Sequence, residues 1–104
     1  MADTDHILSK LTSELELLER HILMLKITKE NQPIGIIRLS ELLGIPKHKV
    51  RYSLRLLEGA GLIEATNEGA RVTDGYGDFM DSAVAYLDEL DEKIRSVKDT
   101  VTMT

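Results

Sequence analysis

The sequence predicts a mainly α chain with a small β-hairpin, and three observations predict it. Apolar residues recur at helical spacing over a long stretch at each end of the chain. Between these stretches, two shorter helical segments meet at Gly44-Ile45-Pro46. They are followed by two short β-prone runs joined through Asn67-Glu68-Gly69. The 104 residues suffice for one domain, residues 1–104, with its own core.

Composition narrows the class. With 42% hydrophobic and 30% charged residues, the chain is globular rather than disordered. It contains no cysteine, which excludes disulfide staples, thiolate nucleophiles and zinc ribbons. No apolar run approaches the roughly 18 residues needed to span a bilayer. The first residues, MADTDHILSK, carry acids and lack the basic start and apolar stretch of a signal peptide. The expectation is a soluble, cytoplasmic protein with no membrane partner.

The first helix is expected over 5–29. Leu8, Leu11, Leu15, Leu18, Ile22 and Leu25 form a heptad stripe flanked by Glu14, Glu16, Glu19 and Arg20. Asp5 is a candidate cap, and Ser13 with Glu16 is a competing capping-box start. Pro33 ends the helix, because proline disfavours helical backbone in the residue before it. Residues 36–58 then read as helix, turn, helix. Ile36, Leu39 and Leu43 share one face, and Pro46 suits the entry to the second helix, which ends at Gly59 or Gly61. Residues 62–66 and 70–73 are strand-like, and Gly69 supplies the positive φ of a hairpin turn. From 74 to 98 the pattern is helical again, with Thr73 or Asp74 as cap. Tyr76, Met80, Ala83, Leu87, Leu90, Ile94 and Val97 make its stripe, Val101 would extend it, and the last residues from Thr100 are expected to fray.

This order of elements is that of a winged helix-turn-helix. Such a motif needs a small residue where its two helices touch, a glycine in the turn and an apolar residue early in the second helix. Ser40, Gly44 and Val50 stand at those offsets. The segment VRYSLRLLEGAGLIEA, Val50 to Ala65, resembles the recognition helix and first wing strand of ArsR-, MarR- and PadR-type transcriptional regulators. The likeness covers about residues 34–78, and the short acidic chain without an added domain is similar to a small archaeal regulator. It departs from the pattern at Ser40, where alanine is more usual, and at Glu68, an acid at the wing tip where a basic residue is more usual.

Charge is distributed unevenly. The chain has 13 basic and 18 acidic residues, a net charge of −5. Residues 45–57 hold Lys47, Lys49, Arg51 and Arg55 with no acid, a local patch of +4 inside an acidic protein. On a helical wheel, Val50, Ser53, Leu54 and Leu57 face the core. His48, Arg51, Tyr52 and Arg55 cover the opposite face, with Lys47 and Lys49 at its edges. Arginine suits bidentate contact with guanine, and lysine suits phosphate. The resemblance places Lys47, His48, Arg51 and Tyr52 where base and backbone readers lie. Arg71, on the second strand, either reaches phosphate or pairs with Glu64 across the hairpin. Arg38 is expected to be solvated.

The terminal stripes have more apolar length than a small domain needs. The stripe from Tyr76 to Val101 runs roughly 38 Å at 1.5 Å per residue. Leu11, Leu15 and Leu18 on the first helix, with Met80, Leu87, Leu90, Ile94 and Val97 on the last, are the candidate dimerisation residues of a coiled coil or bundle. Pairing of the two helices within one chain is the alternative.

No enzyme or cofactor is expected. His6, His21 and His48 fall on different elements, and no HExxH, phosphate loop or nucleophile motif occurs. His21 reads as an interface or surface residue. The expected function is a dimeric regulator, a repressor in the simplest mechanism, that reads a pseudo-palindromic site on double-stranded DNA. The competing reading is a winged-helix protein–protein interaction module in a transcription or replication assembly. A third is a dimer whose interface holds a small-molecule effector.

Overall fold

A computed structural model describes residues 2–103, with side chains from His6 onward. The chain forms four helices and one two-stranded antiparallel hairpin: α1 (Ala2–Asn31), α2 (Ile36–Leu43), α3 (Lys47–Gly59), β1 (Ile63–Thr66), β2 (Gly69–Val72) and α4 (Tyr76–Thr102). Its contacts gather in two compact units, one up to Thr73 and one from Asp74. Among the described residues, no helix is long and apolar enough to cross a membrane.

In the first unit, α1 packs against α2 and β2, while α3 packs against α2 and β1. The core draws on all of them: Met24 and Leu25 of α1, Leu39 of α2, Val50 and Leu57 of α3, and Leu62, Ile63 and Ala70 around the hairpin are buried. The core lies at the C-terminal half of α1. Leu8 and Leu11, at the other end of the heptad stripe, are 69% and 53% exposed. The line that faces the core runs through Leu17, His21, Met24, Leu25 and Thr28, half-buried at its first two positions and buried beyond, and shares only Leu25 with the heptad. That line follows the true helical repeat of 3.6 residues, which drifts away from a 3.5-residue stripe along a straight helix.

Several expected boundaries shift. Helix α1 begins at Ala2, so Ser13 and Glu16 neither start nor break it. Asp5 falls inside the helix rather than at its start, and its side chain lies outside the described residues. The strands begin one residue later and earlier than expected, at Ile63 and Gly69, with Ile63 opposite Val72, Glu64 opposite Arg71 and Ala65 opposite Ala70. Helix α4 begins at Tyr76 behind Gly75, not at a Thr73 or Asp74 cap. Thr73 instead donates its hydroxyl to the Gly61 carbonyl at 2.6 Å. The end of α4 does not fray at Thr100; the helix continues to Thr102.

One pairing was not foreseen. Ile34, in the link between α1 and α2, forms an isolated bridge with Ala70, donating to its carbonyl at 3.1 Å and accepting from its amide at 2.7 Å. Beside it, the Gln32 side-chain carbonyl accepts from the Val72 amide at 2.8 Å. The hairpin is thereby tied to the α1–α2 link along its second strand.

Candidate nucleic-acid interface

Helix α3 is held at both ends by backbone devices that its sequence dictates. Before it, Gly44 adopts φ 68°, a left-handed conformation that only glycine takes without strain, and its amide donates to the Ser40 carbonyl at 2.9 Å. Ser40 uses its hydroxyl to close the same turn, donating to the Ile45 carbonyl. The serine that departs from the usual alanine therefore has a local partner. Pro46, extended at φ −62° and ψ 151°, leads into the first turn, where the Lys49 and Val50 amides donate to its carbonyl.

After the helix, Gly61 takes φ 78°. Its amide donates to the Glu58 carbonyl at 3.0 Å, and the Leu62 amide donates to the Leu57 carbonyl at 2.9 Å. This pair of bonds is a Schellman motif, and its accompanying apolar contact is supplied by the two buried leucines, Leu57 and Leu62. Of the two glycines that marked the end of the helix in the sequence, Gly59 is its last residue and Gly61 carries the left-handed turn.

The two faces of α3 separate as the wheel implies. Val50, Ser53 and Leu57 are buried. Leu54, expected in the core, is only half-buried, because it borders an open groove beside the hairpin. Lys47, His48, Lys49, Arg51, Tyr52 and Arg55 are all exposed, and Tyr52 shows 53% of its surface to solvent. The exposed face is thus cationic along Lys47, Arg51 and Arg55, with an apolar margin at Tyr52 and Leu56. A hydrogen bond links this helix to the first: the Arg20 Nε donates to the Ser53 hydroxyl at 3.1 Å.

The chain matches no family model and no curated protein.

The hairpin differs in character from α3. Arg71 is half-buried and stands directly opposite Glu64 in the register of the two strands. Glu68 is exposed in the turn, where its amide donates to the Thr66 hydroxyl at 3.2 Å while that hydroxyl donates to the Gly69 carbonyl at 2.6 Å. Arg38, on α2, is exposed and lies 3.7 Å from Glu41, so its charge is already partnered. Positive charge without an acid within four residues is found on α3 at Lys47, Lys49 and Arg51, while Arg55 has Glu58 three residues on.

Elsewhere, His21 is half-buried and its Nε2 is shut off from solvent without a hydrogen-bond partner. Burial first, and the neighbouring Arg20 charge second, hold its pKa below the ordinary value of 6.5. It is neither a simple surface residue nor part of a ligand cluster: among the described residues, no group of three or more His, Asp or Glu side chains is placed to hold a metal. The candidate dimerisation residues grade along their helices. Leu15, Leu18, Met80, Leu87 and Leu90 are half-buried, while Leu11, Ile94 and Val97 are exposed.

Proposed function

We propose that the protein is a sequence-specific, DNA-binding transcriptional regulator with a winged helix-turn-helix fold, acting in the cytoplasm as a homodimer. The observation that carries this reading is the exposed cationic face of α3, on which Lys47, Lys49, Arg51 and Arg55 project with no acid before Glu58 in the last turn, from a helix fixed at both ends by left-handed glycine turns. A rigid helix of that charge suits the major groove, where arginines read guanine and lysines neutralise phosphates. The order of elements, and the Ile34–Ala70 bridge that backs the hairpin, are compatible with the same fold.

In this reading the recognition helices of two protomers enter successive major grooves about 34 Å apart, on a pseudo-palindromic site. The hairpin contributes little, since Glu64 and Glu68 are both exposed on it and would face the phosphates. Repression then follows by occlusion of the polymerase. The exposed Glu68 favours one second reading, a protein-docking module that uses the basic helix against an acidic partner. Capture of genomic fragments by the purified protein, followed by sequencing, decides between them. Enrichment of a shared, two-fold symmetric motif supports the regulator, and recovery of fragments without a common motif removes it.

A further inference from the structure

A groove of about 380 Å³ opens between the start of α2, the second half of α3 and the hairpin turn. Its floor is apolar, built from Ile34, Ile36, Leu54, Ile63 and Ala70. Ile36 and Leu54 lie on the inward apolar faces of their helices yet stay half-exposed, because they form this floor. The ionisable side chains lining the groove are two acids from separate elements, Glu58 in the last turn of α3 and Glu68 in the hairpin turn. No lysine, arginine or histidine lines it.

The walls are held in place. Ile34 and Ala70 exchange two backbone hydrogen bonds, and a Cβ on Gly69 would come within 2.7 Å of the Ile34 backbone. The hairpin is therefore tied closely to the α1–α2 link along this edge of the groove. The volume falls in the range of about 300–1,000 Å³ typical of small-ligand sites, which pair an apolar lining with a few placed polar groups.

We propose that this groove is a binding site for a small apolar cation, an alkyl- or arylammonium, with its apolar part on the Ile36 and Leu54 floor and its positive centre at the Glu58 and Glu68 rim. Two carboxylates and no cation repel an anionic ligand of the same shape. The site lies within one chain and borders the C-terminal end of the cationic face of α3, where Arg55 stands three residues before Glu58. The inference goes beyond the regulator reading and does not depend on it.

The experiment is an amide-resolved NMR titration of the full chain with hexyltrimethylammonium, using hexan-1-ol and hexanoate as neutral and anionic probes. The cation should shift the Ile36, Leu54, Ala65 and Ala70 amides saturably, and hexanoate should leave them unmoved. Glu58→Gln and Glu68→Gln, both at exposed positions, should each weaken the cation about two- to five-fold, the range of exposed charge pairs, and leave hexanol unchanged. Ala65→Phe, at an exposed strand position lining the groove, should abolish binding of both probes while the spectrum stays dispersed. The proposal is overturned if the cation gives no saturable shift, if its shifts map outside the groove, or if hexanol binds as tightly as the cation.

Discussion

The Arg20 guanidinium donates from Nε to the Ser53 hydroxyl at 3.1 Å, which joins the long first helix to the helix that carries the cationic face. Ser53 is fully buried and Arg20 half-buried, so the bond is a charged one with limited access to water. Bonds to charged groups contribute about 1.5–3 kcal/mol. Ser53→Ala should therefore lower stability by roughly that amount in urea titrations. Arg20→Met keeps the apolar stem and removes the charge, and the double variant should lose about 1 kcal/mol less than the sum of the two. Strict additivity would show that the two groups are not coupled.

Gly69 should tolerate no side chain. It combines φ 136° with a backbone approach to Ile34 that a Cβ would bring to 2.7 Å. Gly69→Ala should cost at least roughly 2 kcal/mol, since the strained dihedral and the clash act together. Gly59 has ordinary helical backbone and nothing within 4 Å of a Cβ, so Gly59→Ala should be neutral or stabilising by up to about 1 kcal/mol. Equal effects at the two glycines, measured by thermal unfolding, would contradict this reading of the hairpin.

Much of this was legible in the sequence where one residue type has one physical use. Gly44, Gly61 and Gly69 each take a positive φ, and the punctuation around 44–46 and 67–69 placed α2, α3 and the hairpin to within a residue or two. The alternation of Val50, Ser53 and Leu57 with the basic residues told the two faces of α3 apart. What stayed hidden has a physical reason too. The core line of α1 includes His21 and Thr28, polar residues that a search for leucines passes over, and the heptad beside it was the stronger signal. The Ile34–Ala70 bridge is a contact between residues 36 positions apart, made by a single pair, and no local periodicity announces it. The open groove at Leu54 arises from what neighbours leave uncovered, which a helical wheel does not contain.

His21 sets a pH dependence. Its folded pKa lies below the ordinary 6.5 because burial disfavours the imidazolium and Arg20 repels it. Below 6.5 the unfolded chain binds a proton that the folded chain resists, so the unfolded state takes up more protons there. Stability should be full above 6.5 and fall as the pH drops through the depressed folded value. His21→Leu removes both the titration and the shielded Nε2, and should flatten this limb while raising stability at neutral pH by about 1 kcal/mol. Urea midpoints between pH 4.5 and 7.5 measure it, and an acid limb that persists in the variant assigns the effect to other groups.

Self-association is tested best at the exposed end of α4. Ile94, Val97 and Val101 are 37%, 53% and 75% exposed, and acids such as Asp91, Glu92 and Asp99 surround them. If these residues meet a second copy, light scattering should report about twice the 11.7 kDa chain mass. Val97→Glu would bury an unpaired carboxylate at that seam and return the protein to a folded monomer. Val97 suits the test better than Leu90, which is half-buried, because a change there also disturbs the folded chain. A wild type that runs as a monomer at micromolar concentration removes the dimer.

If the protein binds DNA as proposed, α3 offers two kinds of residue to it. Arg51 stands in the middle of the exposed face of α3, where a guanidinium would reach base edges in the proposed complex, while Lys47 and Lys49 lie in its first turn, at the edges of that face. Arg51→Ala should cost about 1–3 kcal/mol on the cognate site and relax the preference for one base pair. Lys47→Ala and Lys49→Ala should weaken cognate and random duplexes alike, and each should reduce the slope of log affinity against log salt by about one, because one counterion fewer is released. The protein's net charge of −5 opposes non-specific binding, so affinity should fall steeply above physiological salt. Fluorescence anisotropy on captured fragments, with wild type and the three variants at several salt concentrations, measures all of these together. Should the lysine variants alter preference while Arg51→Ala lowers all duplexes equally, the roles on the helix are reversed. Should wild type bind every fragment no better than random duplex, the basic face of α3 serves an acidic protein partner instead.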